Sequence, residues 1–196
     1  MRLVLVSENP HKARELAAAL PGWQVEPWTG PPLPPETGAT FRENARGKAA
    51  FGREHGPPGA WVAGEDSGLE VTGLGGRPGI FSARYAGERA SDDANTAKLL
   101  EELDGLEPWS RAARYVCALV ALSPDGEELA VEGTLEGAIA EERRGSAGFG
   151  YDPVFVPDGE TRTVAELGDA WKAAWSHRAR AARALAAALG ERTPTV

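Results

Sequence analysis

Residues 1–20, MRLVLVSENPHKARELAAAL, carry an apolar run straight into a turn and a helix start, and that order decides the fold. Arg2 to Ser7 has the short, continuous apolar character of a buried strand. Asn9 is placed to cap a helix, and Pro10 follows at its first position, where a missing backbone N–H costs nothing. Leu16 and Leu20 recur at helical spacing among alanines, and Pro21-Gly22 ends the helix. A strand delivered into a helix, with more of both to follow, predicts an α/β protein.

Outward from there, Gln24 to Trp28 reads as a second strand, followed by the Pro-rich loop Gly30 to Gly38. A second helix is expected from Thr40, where Thr-Phe-Arg-Glu makes a capping box, to about His55. Ala60 to Ala63 reads as a buried strand that breaks into the turn Gly64 to Gly68, placing Glu65 and Asp66 at a strand's end. After Leu69 to Val71 come the glycine-rich Gly73 to Gly79, a segment around Ser82 to Tyr85, and a helix over about Ser91 to Leu103. Ala112 to Leu122 pairs through the turn Ser123 to Gly126 with Glu128 to Ile139 as a long hairpin. Loop Glu141 to Gly150 leads to Tyr151-Asp152-Pro153 and a short strand to Val156, and an alanine- and leucine-rich helix runs from Ser176 to Leu189. No repeat and no linker divides the chain, so one domain over 1–196 is expected.

Composition narrows the class. The 196 residues carry 21 basic and 29 acidic side chains, a net charge of −8, with 42% hydrophobic and 26% charged residues. Those are ordinary globular proportions. An acidic chain disfavours a nucleic-acid polymer as partner, yet leaves room for a focused basic pocket that holds a small phosphate. No stretch approaches the ~20 apolar residues of a membrane span, and the apolar start is too short for a secretory signal, so no membrane association and a cytoplasmic address are expected. The single Cys117 excludes an internal disulfide and reads as a buried, inert thiol.

Several groupings carry chemistry. Exposed N–H groups at the first helix start form an anion site with Lys12 in its first turn; the alternative is that Asn9 only caps and Lys12 only solvates. Glu36, Glu65 and Asp66 lie beside glycines, and oxygen ligands of this kind suit Mg²⁺, although a surface turn or a loop charge would look the same. Glu43 and Glu70 read as structural. Asn44 and Lys48 stand four apart and share a helix face. Lys172 precedes Ser176-His177-Arg178, where cations at a helix start oppose the macrodipole and so point to an anion or a carbonyl-rich ligand. Gly148 to Pro153 sets two aromatics and Asp152 on a glycine-flexed loop, able to stack on a base and accept from ring N–H groups, or simply to anchor the loop. Phosphate donors, a divalent cation and a base slot together describe a nucleotide site.

At SENPHKARELAAAL, ETGATFRENARGKA, AGEDSGLEVTGLGGRPGIFSARYAG, GFGYDPVF, and AEL followed by Lys172 and SHRARA, the chain resembles the inosine triphosphate pyrophosphatases, also called dITP/XTP pyrophosphatases. The resemblance implies a long mixed β-sheet flanked by helices, in two lobes with a central substrate cleft, and a homodimer. It implies Mg²⁺-dependent hydrolysis of ITP, dITP or XTP to the monophosphate and pyrophosphate. Asp66 matches the proton acceptor and a metal ligand, Glu36 a second metal-associated carboxylate, and Lys48 a catalytic cation on the phosphate side. Ser7, Glu8, Asn9, Pro10, His11, Lys12 and Ser67 line up with triphosphate and sugar contacts. Phe149, Gly150, Tyr151, Asp152, Lys172, His177 and Arg178 match the base-recognition set. Gly64 and Glu65 stand where alanine and aspartate are more usual, which leaves the role of Glu65 open, and Trp171 and Trp175 are bulkier than the family pattern around the base slot. Two other readings are a non-catalytic purine nucleotide sensor and a pyrophosphatase for modified pyrimidine nucleotides.

Overall fold

The computed structural model describes residues 1–190; residues 191–196 of the expected single domain lie outside the described residues. The elements run β1 (Arg2–Val6), α1 (Pro10–Ala19), β2 (Gln24–Pro27), α2 (Phe41–His55), β3 (Trp61–Val71), α3 (Asp92–Leu103), β4 (Ala112–Leu122), β5 (Glu128–Ile139), β6 (Phe155–Pro157), α4 (Val164–Trp175) and α5 (His177–Gly190). Short 3₁₀ turns occupy Thr72–Leu74, Gly79–Arg84 and Pro108–Arg111. The strands form a six-stranded sheet in the order β2-β1-β3-β4-β5-β6. It is mixed: β1 runs parallel to β2 and β3, while β5 and β6 are antiparallel.

The chain divides into two compact units, and β3, β4 and β5 each pass from one into the other. The first unit comprises residues 1–66 and 117–133 with α5. Leu3 and Leu5 of β1 join Leu16 of α1, Ala63, Cys117, Leu119 and Leu185 of α5 in one core. Val4 and Val6 point the other way, into a cluster with Ala60 and Val62. Successive side chains of a strand face opposite sides, so a parallel strand covered on both faces needs an unbroken apolar run, which β1 has. The second unit comprises residues 67–116 and 134–176, with Leu69, Val71, Leu99, Tyr115, Phe155 and Val164 in its core.

Three local features depart from the sequence expectations. β3 does not break at Gly64 but continues to Val71. Gly64 serves close approach rather than turning: a Cβ there would overlap the Ala45 carbonyl oxygen and lie 2.5 Å from the Ala49 backbone nitrogen, so the bare strand lets α2 lie against it. Secondly, residues 164–175 are helical, kinked at Gly168, whose φ is 82°. Their start carries a full capping box: Thr163 N–H donates to Glu166 Oε2 at 2.7 Å and Glu166 N–H to Thr163 Oγ1 at 3.3 Å. Thirdly, the α2 box is half formed, since Glu43 N–H donates to Thr40 Oγ1 while the Glu43 carboxylate accepts from Ala39 N–H instead of Thr40. Among the described residues no helix is long and apolar enough to cross a membrane.

Candidate functional site

In the first unit, the β1–α1 turn is built by its own side chains. Asn9 N–H donates to Ser7 Oγ at 3.2 Å, and His11 N–H donates to the capping Asn9 Oδ1 at 2.9 Å. Pro10 opens the helix, Glu8 Oε1 accepts from Leu33 N–H at 3.2 Å, and His11 Nδ1 lies 2.8 Å from the Arg14 guanidinium. No acidic residue occupies the first turn of α1, so no first-turn carboxylate offsets the positive end of its dipole. Lys12 leaves this turn with its ammonium 3.4 Å from Glu65 Oε1.

β3 then separates its two acidic neighbours. Asp66 belongs with α2: Asn44 Nδ2 donates to Asp66 Oδ2 at 3.0 Å, and Lys48 Nζ lies 3.4 Å from Asp66 Oδ1. Asn44 is fixed in turn, because its Oδ1 accepts from Gly38 N–H at 2.8 Å. Lys48 also donates to the Glu65 carbonyl at 3.0 Å and pairs with Glu36, so one ammonium bridges the Glu36 and Asp66 carboxylates. Burial pushes the Asp66 carboxyl above the usual carboxylate value, against the pull of Lys48 and Lys12. Burial works against the charge of Lys48 too, but Asp66 and Glu36 outweigh it and the ammonium is held above its ordinary value.

Glu65, fully buried, belongs with α1 and α5 instead. Arg178 Nε donates to Glu65 Oε2 and Nη2 to Oε1, both at 3.0 Å, while Nη1 donates to Glu15. Burial opposes the Arg178 charge, and Glu65 and Glu15 more than restore it. The Cys117 thiol also touches Glu65, and its burial drives the thiol far above its ordinary value, which fits the inert reading. His177 opens α5 in a buried position.

In the second unit the loop 148–152 folds around Asp152. Phe149 N–H donates to Asp152 Oδ2 at 2.9 Å, Lys172 Nζ donates to the same oxygen at 2.7 Å, and Tyr115 OH reaches Oδ1 at 3.4 Å. Lys172 is thereby held 4.5 Å from the centroid of the Phe149 ring, a cation–π contact. Gly150 N–H is fixed by Asp92 at 2.7 Å, and the buried Tyr151 donates to the Ser82 carbonyl at 2.8 Å as a loop anchor. Ser67 stands at the first position of this unit on β3. Trp171 packs on the core, whereas Trp175 is exposed.

The first unit thus gathers Lys12, Glu36, Lys48, Asp66 and Arg178, and the second gathers Phe149, Asp152 and Lys172. Sequence reasoning missed Glu15 and Tyr115. Glu15 lies three residues after Lys12, on the same face of α1, and that spacing was the signal available. Tyr115 sits in an apolar strand and gave none. Among the described residues no group of three or more His, Cys, Asp or Glu could hold a metal.

The model of the Ham1 family matches residues 3–188. A protein of Exiguobacterium named dITP/XTP pyrophosphatase is 45% identical over 194 residues, 96% of this chain and 97% of that one. The solved structure of the Staphylococcus aureus Ham1 protein superposes with a TM-score of 0.82 at 38% identity, covering 98% of this chain and 100% of that one. A HAM1 protein from Coxiella burnetii gives 0.84 at 37% identity, with coverage of 97% and 99%.

Proposed function

Because this chain belongs to the Ham1 family, we propose that it is a nucleoside triphosphate pyrophosphatase, hydrolysing the non-standard purine nucleotides ITP, dITP and XTP to the monophosphate and pyrophosphate. The observation that carries the reading is Asp66, a buried carboxylate oriented by Asn44 and Lys48 beside Glu36. The relatives named dITP/XTP pyrophosphatase support the substrate class.

Two carboxylates are a sparse donor set, and that set suits Mg²⁺, which commonly takes one or two carboxylates and completes its shell with water and substrate phosphate. The Lys48 ammonium lying between Glu36 and Asp66 marks the same place as one that attracts a cation. Glu36 and Asp66 would hold Mg²⁺, which when bound neutralises phosphate charge and makes a water easier to deprotonate. Asp66 orients the attacking water and takes its proton. Lys12 and Lys48, with the positive end of the α1 dipole, stabilise the charge that develops on the departing pyrophosphate, already in place and without reorganisation. Ser67 contributes to the sugar and phosphate contacts.

Base recognition belongs to Phe149 to Asp152, Lys172, His177 and Arg178. Asp152 is committed to Phe149, Lys172 and Tyr115, so its part is to hold the Lys172 ammonium over the Phe149 ring. Lys172 then offers N–H donors to the C6 carbonyl of hypoxanthine or xanthine and opposes the C6 amino group of adenine. The working form is a homodimer in the cytoplasm. Incubation with Mg²⁺ and a panel of ITP, XTP, GTP and UTP tests the reading: IMP and pyrophosphate from ITP are expected, and binding without turnover would make the protein a sensor instead.

A further inference from the structure

We propose that Glu65 is a positioning residue, a buried counter-ion that fixes Lys12 and Arg178 relative to each other and takes no share in holding the divalent cation. What Lys12 and Arg178 do for the nucleotide rests on the function proposed above; the arrangement of the three side chains does not.

Glu65 and Asp66 are adjacent in sequence, which makes them look like a pair of ligands. They stand on a continuous strand, however, and consecutive side chains of a strand leave from opposite faces. Their partners follow that division: Asp66 meets Asn44 and Lys48 of α2, and Glu65 meets Lys12 of α1 and Arg178 of α5. Both oxygens of Glu65 are engaged by the fork of Arg178, each at 3.0 Å, and Oε1 also faces Lys12. Bidentate pairing of this kind is directional as well as strong.

Solvation separates the two carboxylates as well. A bound Mg²⁺ keeps several waters, which requires ligands at an accessible edge. The Glu65 side chain is 1% exposed, against 8% for Asp66 and 24% for Glu36. Charge balance adds a third reason. Glu15 and Glu65 carry two negative charges against the two positive charges of Lys12 and Arg178. Drawing Glu65 away to a metal would leave a buried guanidinium with Glu15 as its one carboxylate in this cluster, an arrangement that buried ion pairs strongly resist. One carboxylate therefore ties a cation assigned to phosphate to a cation assigned to the base, and so sets the distance between those two points of contact.

The first arm of the test uses the unsubstituted full chain and follows the Arg178 Nε–H resonance by NMR while Mg²⁺ is added. The resonance should be slow to exchange and should stay so at saturating Mg²⁺. A shift with accelerated exchange, as Glu65 leaves for the metal, would overturn the proposal. The second arm compares Glu65→Gln, which keeps the volume, with Glu36→Gln by calorimetry. Glu65→Gln should bind Mg²⁺ alone as the unsubstituted chain does and bind inorganic pyrophosphate about tenfold more weakly, the size of effect expected when a charged contact is misplaced. Glu36→Gln should show the reverse. Lost Mg²⁺ affinity in Glu65→Gln, or unchanged pyrophosphate affinity in a folded variant, counts against a positioning role. If Glu65→Gln does not fold, the NMR arm still decides. A chain that fails to hydrolyse ITP while passing the NMR arm would remove the proposed function and leave the positioning geometry standing.

Discussion

Asp66 is the side chain on which turnover depends in the proposed reaction, and its surroundings say why an amide cannot replace it. Asn44 and Lys48 both approach it as donors, so Asp66→Asn keeps the shape but loses the proton acceptor. Activity should fall by roughly 10²- to 10⁴-fold, the usual worth of a general base, with the circular dichroism spectrum unchanged; most of the activity surviving in a steady-state assay would remove Asp66 from the mechanism. Lys172 makes a different prediction. Lys172→Ala should cut the preference for ITP over ATP by about tenfold to a hundredfold while triphosphate affinity changes less, read as the ratio of kcat/KM values. Tyr85 offers a pH test away from the site. Its hydroxyl donates to Glu102 at 2.6 Å with Arg77 and Lys98 nearby, and burial with the Glu102 contact pushes its pKa up to about 12 from an ordinary 10.0. The folded protein therefore holds this proton where the unfolded chain has released it, so stability falls as pH rises from 10 toward 12. Urea titrations across that window should show a shallower decline in Tyr85→Phe.

At the scale of elements, legibility followed local chemistry. The N-cap at Asn9, the capping Thr40 and the turn at Ser123 to Gly126 were readable because each is decided within four residues. Helix α4 has no clear period in sequence because Gly168 and two tryptophans disguise it, although Thr163-x-x-Glu166 announces its start. β3 departs from its sequence pattern for a physical reason: a glycine before two acids looks like a turn, whereas here it makes room for a helix. That makes Gly64→Ala a test of the close approach. The added methyl meets main-chain atoms of α2, and overpacking of this kind should cost about 1–3 kcal/mol, visible as a lowered midpoint of thermal unfolding. The acidic pair shows the same limit. Their chemistry was visible in sequence, but which face each one takes depends on whether the strand continues, and only the fold decides that.

For the whole molecule, the α/β class and the mixed sheet followed from the alternation of apolar runs with helix starts and from the family resemblance, and the sheet has that character. Two compact units did not show in composition, because their boundaries fall inside strands rather than at linkers. Phe81, Trp109 and Trp175 are exposed at 53%, 73% and 56%. Light scattering should return about twice the chain mass of 20.7 kDa, and a monomer at assay concentration would dismiss the dimer. Gly64 has a counterpart in Gly133 on β5, where a Cβ would overlap the His177 carbonyl oxygen and the Ala181 backbone nitrogen of α5. At both positions the obstacle is the main chain, which every amino acid shares. No exchange of the contacted residue can therefore act as a suppressor, and drift at either glycine can be tolerated only by shifting a whole helix.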